Sequence, residues 1–238
     1  MFDTNAPWEN ELTTDWRITL LGSEEIARAT RAFHFVKPAG LEFVAGQFVD
    51  LTLVSPLEMD DQGPSRTLTI ASAPFEDELM FAVRIRDSAF KRGLKRLRPG
   101  GQVLMDHPAG TFTLHRDQSK ASVFIAGSIG VAPFLSMVRQ TNHEGTPRRI
   151  YLFYSNRRPE DAPFLAELHE LKRANPNFQF IPTMTQVSTS PHQWTGKPAT
   201  SGRTRWRSTS ESLSARFITL LALLQWSNPC VRNFAMPR

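Results

Sequence analysis

Short runs in which apolar and polar residues alternate dominate the first half of the chain. Arg31–Lys37, Phe48–Val54, Arg66–Ala71, Leu79–Arg86 and Gln102–Asp106 are rich in β-formers. Turn-forming clusters separate them: Pro38-Ala39-Gly40, Gly63-Pro64, Ala73-Pro74 and Pro99-Gly100-Gly101. Short strands at this spacing predict an antiparallel barrel or sandwich. One helix, over Phe90–Leu97, is expected among them.

The rhythm changes near residue 120. Ser122–Ala126 reads as a short buried strand, followed by a glycine loop and a helix over Pro133–Thr141. Arg149–Tyr154 is a second strand, and Asn177–Pro182 a third. Between them Asp161–Lys172 is an amphipathic helix, with Phe164, Leu165, Leu168 and Leu171 at helical spacing,. Alternating β and α predicts a doubly wound parallel sheet. The chain is thus read as two domains: an antiparallel barrel over 10–116 and an α/β domain over 120–196. No internal repeat is visible.

Composition narrows the field. The 238 residues contain one cysteine, Cys230, which excludes a disulfide framework or a cysteine-built metal site or cluster within this chain,. No metal site is expected, and the lone thiol fits a cytoplasmic setting. No run of 18 apolar residues occurs, so no spanning helix is expected, and the polar start MFDTNAPWENELTTDW does not read as a leader,. The net charge of +5 invites a nucleic-acid partner, but its location argues against one,. Residues 197–238 hold seven basic residues against Glu211, a surplus of +6, which leaves −1 for residues 1–196.

Three segments carry candidate chemistry. In Ser65-Arg66-Thr67-Leu68-Thr69-Ile70-Ala71-Ser72, an arginine at a strand start can fork onto a phosphate, or be a surface residue of an amphipathic strand,. In Ala126-Gly127-Ser128-Ile129-Gly130-Val131-Ala132-Pro133, a strand ends in a glycine loop that opens a helix. Such a loop lets backbone N–H groups approach a pyrophosphate, or is an ordinary strand-to-helix turn. In Tyr154-Ser155-Asn156-Arg157-Arg158 the next strand ends where a bound nucleotide's ribose would lie. Arginine there accommodates a 2′-phosphate, or is part of a solvated basic loop. Ser128 has no partnered His/Asp pattern, so a hydrolase reading lacks its triad.

Taken in order, Arg66-x-Leu68-Thr69, Arg84-Ile85-Arg86, His107-Pro108-Ala109-Gly110-Thr111-Phe112, the glycine loop with Pro133-Phe134, and Tyr154-Ser155-Asn156-Arg157 resemble the ferredoxin–NADP reductase family. The resemblance covers about residues 10–196. It implies a Greek-key FAD-binding barrel joined to a nicotinamide-nucleotide domain. By it, Arg66 binds the FAD diphosphate, Thr67 and Leu68 line the cofactor, and Thr69 lies beside flavin N5 as the catalytic position. Leu68 stands where the family usually has an aromatic residue, so van der Waals contact replaces ring stacking there. Arg84, with Ala89, Phe90 and Lys91 at the start of the intervening helix, further holds the diphosphate. Gly127, Ser128 and Gly130 cradle the nicotinamide nucleotide's phosphates. Ser155, Arg157 and Arg158 favour NADP over NAD, which remains possible.

The resemblance breaks after Trp194-Thr195-Gly196. The family continues with a glycine pattern, a strand and a Gly-Pro-Pro-x-Met loop facing the nicotinamide. Read one base out of frame, Phe217–Trp226 permits Ile-Tyr-Tyr-Ile-Ala-Gly-Pro-Pro-Ala-Met, and Gly196–Ser201 permits Gly-Glu-Thr-Gly-Tyr-Ile. Residues 197–238 are therefore read as a frameshifted translation: an aberrant, disordered tail that leaves the nucleotide domain incomplete and the apolar Phe217–Leu224 run without a partner surface. The coding DNA decides this reading.

The expected function is a flavin-dependent oxidoreductase. It moves a hydride from NAD(P)H to FAD and electrons on to a separate carrier protein or small molecule, with no nucleic-acid or membrane partner. The alternative is a flavin- or nucleotide-binding module whose turnover is lost with the damaged C-terminus.

Overall fold

The computed structural model describes residues 16–196 and the backbone of 218–223. The first domain is built from β1 (Trp16–Ala27), β2 (Thr30–Val36), β3 (Phe48–Leu53), β4 (Ser65–Thr69), β5 (Glu78–Arg84), α1 (Ala89–Arg96) and β6 (Gln102–Met105). All its strand pairs are antiparallel, in the order β4-β3-β6-β1-β2-β5. The sheet curls until its two edges meet. There they share the Ile70↔Phe81 bridge, the Ala71 N–H to Met80 carbonyl bond of 2.8 Å and the Met80 N–H to Ser72 Oγ bond of 2.9 Å. The result is barrel-like without a closing ladder. Its interior is filled by Ile18, Leu20, Phe33, Phe35, Leu51, Ile70, Phe81 and Val103, each at most 1% exposed, and capped by Phe90 and Leu94 of α1.

The second domain contains β7 (Ala121–Gly127), α2 (Ala132–Glu144), β8 (Ile150–Asn156), α3 (Leu165–Ala174), β9 (Phe178–Met184) and β10 (Ile218–Leu223). The strands are parallel in the order β10-β7-β8-β9. Every residue of β7 is buried, as a central strand covered on both faces requires,. The two domains share one core. Ala32, Ala45, Ala71 and Met80 from the barrel pack in a single cluster with Phe124, Phe134, Met137 and Tyr154.

Two elements differ from the sequence reading. β1 escapes it, because the register slips between Leu20 and Gly22 and again between Glu25 and Ala27. Each slip moves side chains to the opposite face and breaks the period-two signal. The helix expected from Asp161 starts at Leu165 instead, preceded by a short 3-10 turn over Pro159–Asp161. Phe164 adopts a left-handed conformation at φ 60°, which no helix can continue through,. The tail expectation falls on residues outside the described ones, save for Ile218–Leu223. That segment is not left unpartnered: its backbone pairs in register with Ala121–Ala126.

An ion-pair chain crosses the domain boundary. Arg139 on α2 bonds Glu167 on α3 at 2.5 Å and Glu76 of the barrel at 3.1 Å, with 17% of its side chain exposed. Burial opposes the charge, but the bonds to Glu167 and Glu76 hold the guanidinium above its ordinary pKa. Arg139→Met keeps much of the aliphatic packing and removes the bonds. It is expected to lower stability by about 1.5–3 kcal/mol in urea unfolding. An unchanged midpoint would show that the chain of charges contributes nothing.

Candidate functional site

Two elements are suited to accept an anion. The first is at the start of α1. Ser88 caps this helix, its hydroxyl accepting from the Lys91 N–H. Arg66, at the start of β4, aims its guanidinium at the same point. Its Nη1 donates to the carbonyls of Gln62, Gly63 and Ser65 at 2.6–3.0 Å. Its planar group lies 5.4 Å from the centre of the Phe90 ring. Nη2 donates to Asp60 Oδ1 at 2.7 Å, while Asp60 Oδ2 accepts the Ala89 N–H at 3.2 Å. Lys91 completes the cluster: burial, then the charges of Arg86 and Arg66, push its ammonium below the ordinary lysine pKa. A gathering of cations over a helix N-terminus, already holding one carboxylate, fits a diphosphate.

Of the other residues expected here, Thr67 is exposed and donates to Asp50 Oδ1. Leu68 packs against the barrel core, and its strand partner Val49 is 1% exposed. Thr69 pairs with Phe48, so the two share a face of the sheet,. Phe48 is 37% exposed, and its ring lies over Gly110, where a Cβ would come within 2.8 Å of it. An exposed aromatic beside Thr69 thus comes from β3, rather than from position 68 of β4.

The second element is the turn after β7. Gly127 ends the strand, and a 3-10 turn over Ser128–Val131 leads straight into α2. Ser128 is left-handed at φ 50°, unusual for a residue with a Cβ,. Three contacts hold it there. Its N–H donates to Asn156 Oδ1 at 3.2 Å, its carbonyl accepts from the Tyr154 hydroxyl at 3.0 Å, and its Oγ accepts from Arg84 Nη1 at 2.9 Å. Gly130 lies in the same turn. Burial pushes the Tyr154 phenol well above its ordinary pKa, so it remains a donor.

Arg84, expected with Ala89, Phe90 and Lys91 on the FAD diphosphate, donates to the glycine turn of the second domain. At the end of β8, Ser155 Oγ and Asn156 Nδ2 are buried and lack hydrogen-bond partners in the structure. Arg157 is exposed. Arg158 is paired: Asp161 holds it through two bonds of 2.8 and 3.0 Å, and Glu160 lies 3.4 Å away. Asp60, Phe48, Tyr154 and Asn156 are site residues that sequence reasoning misses. Only Tyr154 and Asn156, inside the Tyr154–Arg158 segment, lie within a recognised pattern. Among the described residues no metal-holding group of acids, histidines or cysteines occurs, and no helix is long and apolar enough to cross a membrane.

Comparisons with known proteins agree with this architecture. Residues 124–212 match the oxidoreductase NAD-binding domain family. The chain is 28% identical over 158 residues to the reductase component of propane 2-monooxygenase from Rhodococcus jostii, covering 66% of this chain and 41% of that protein. It is 28% identical over 182 residues to ferredoxin–NADP reductase B from Sorangium cellulosum, covering 75% and 72%. It spans 41–50% of the length of the monooxygenase reductase relatives from Rhodococcus, Methylosinus and Pseudomonas. Among solved structures, the Neisseria gonorrhoeae ferredoxin NADP+ reductase with bound FAD and NADP superimposes with a TM-score of 0.70 at 20% identity, covering 87% of this chain and 84% of that one. The Amycolatopsis cytochrome P450 reductase GcoB does so with a TM-score of 0.67 at 24% identity, covering 87% and 61%. The chain is ferredoxin–NADP reductase-like in sequence and in fold.

Proposed function

We propose that this ferredoxin–NADP reductase-like chain is a flavin-dependent oxidoreductase that takes a hydride from NADPH, or less well NADH, and passes electrons to a separate acceptor. The observation that carries the reading is the contact of the barrel with the glycine turn of the second domain, where Arg84 Nη1 donates to Ser128 Oγ at 2.9 Å. FAD, when bound, supplies the hydride and single-electron chemistry that no side chain here supplies. Arg66, the Ala89 N–H and Lys91 hold its diphosphate, with Phe90 beneath the Arg66 guanidinium. Thr69 and Phe48 border the ring. The turn at Gly127, Ser128 and Gly130 lies at the start of α2, where the second nucleotide's phosphates would sit, with the Ser128 N–H already bonded to Asn156, and Arg84 adds charge from the barrel side,. Ser155 Oγ and Asn156 Nδ2 lie buried at the end of β8, beside that turn.

A cytoplasmic setting is proposed from the single cysteine,. The relatives named as reductase components of monooxygenases support a protein acceptor, an electron carrier or an oxygenase component. They also favour electron transfer over a binding module without turnover. The direct test reconstitutes the purified chain with FAD and adds NADPH without oxygen. A bound flavin spectrum that bleaches supports the reading; a chain that retains no flavin overturns it.

Coenzyme choice follows from charge. With Arg158 committed to Asp161, Arg157 and Ser155 remain to meet a 2′-phosphate. NADPH is expected to exceed NADH by on the order of tenfold in kcat/KM for dye reduction, the scale of one charge-assisted bond. Arg157→Ala should remove most of the difference. Equal efficiency for both coenzymes in the native chain would sink this assignment.

A further inference from the structure

The loop between β3 and β4 folds back onto α1 and seats one carboxylate among the cations there. Asp60 accepts from Arg66 Nη2 at 2.7 Å and from the Ala89 N–H at 3.2 Å, with a third bond from the Gln62 N–H at 3.1 Å. A guanidinium on one oxygen and a helix-start amide on the other is how a phosphate group is bound. Two other acids of this region are engaged elsewhere. Glu58 pairs with Arg92 at 2.8 Å and with Arg96 at 2.6 Å, and Asp87 also pairs with Arg92. Asp61 is exposed.

We propose that Asp60 is an internal counter-ion that occupies the diphosphate's place in the cofactor-free chain and is displaced when FAD binds, so that this one side chain sets the cofactor's affinity. The inference rests on the flavin reading above. Arg66 is built to survive the exchange. Its Nη1 is clamped by three loop carbonyls and its face is supported by Phe90. When the carboxylate leaves, the guanidinium stays aimed and only its Nη2 partner changes. Only the Asp60 side chain must turn away, because the loop stays tied to Arg66 by the Gln62 and Gly63 carbonyls and to α1 by Glu58.

The test measures FAD affinity by flavin-fluorescence quenching for the native full-length chain, Asp60→Asn and Asp61→Asn. Circular dichroism checks that each is folded. Asp60→Asn, which keeps the shape and removes the charge, is expected to bind FAD on the order of tenfold more tightly. It should leave the affinity for riboflavin, which has no phosphate, unchanged. Asp61→Asn, one residue away, should leave both unchanged. FAD binding that is equal or weaker in Asp60→Asn overturns the proposal and leaves the flavin reading standing. So does equal tightening for riboflavin, or equal tightening by Asp61→Asn. A native chain that binds no FAD overturns both.

Discussion

Gly46→Ala is expected to lower the melting temperature by on the order of 10 °C, a large effect for one added methyl group. Gly46 has φ +103°, and a Cβ built on it would lie 2.2 Å from the Phe112 carbonyl oxygen and 2.4 Å from Met137 Cε. The methionine tip can rotate away, but the carbonyl is backbone. Strain of a left-handed residue amounts to about 1–2 kcal/mol, and forced overpacking adds about 1–3 kcal/mol. In a domain of this size each kcal/mol moves the midpoint by roughly 2–4 °C. Gly40→Ala is the matched control: its φ is +78°, but no atom lies within 4 Å of the new Cβ. It should show the backbone strain alone. If both variants melt together, the close approach of the two domains at Gly46 is wrong.

Arg66→Ala is expected to weaken FAD binding by roughly 10- to 100-fold, the loss of a charge-assisted phosphate contact worth about 1.5–3 kcal/mol. The variant also leaves Asp60 without its guanidinium partner, so the remaining site holds a carboxylate at the helix start with less positive charge around it. Arg66→Lys keeps the charge but cannot donate to three carbonyls and an anion at once. It should fall between the native chain and alanine. Titration of each variant with FAD by fluorescence decides the matter. An affinity unchanged in Arg66→Ala would remove Arg66 from the site.

Much of this architecture is legible in the chain. Strands β2 to β6 of the barrel and β7 to β9 of the parallel sheet follow from alternation, apolar runs and turn residues. β1 is hidden because Gly22-Ser23-Glu24-Glu25 follow Ile18 and Leu20 across a register slip, so no single period describes it. Candidate site residues are legible where the chemistry lies in a local motif, as with Arg66, Gly127 and Ser128. Partnerships across the fold are not. That Arg84 reaches Ser128, 44 positions on, depends on how the domains dock. That Arg158 is neutralised depends on the 3-10 turn bringing Asp161 back onto it. Asp60 reads as one of three acids in the β3–β4 loop until the loop's return path sets it on Ala89.

The core that runs from Ala32, Ala45, Ala71 and Met80 into the parallel sheet also bears on how such two-domain chains diversify by recombination. A barrel transplanted onto another nucleotide domain must bring three alanines and a methionine that meet whatever aromatic residues it finds there. A crossover placed in the connection between Met105 and Ala121 would keep each sheet intact and still separate those alanines from Phe124 and Phe134. Chimaeras exchanged at that joint should therefore be viable only when the small residues travel with their aromatic counterparts. The inherited unit is the interface rather than either domain.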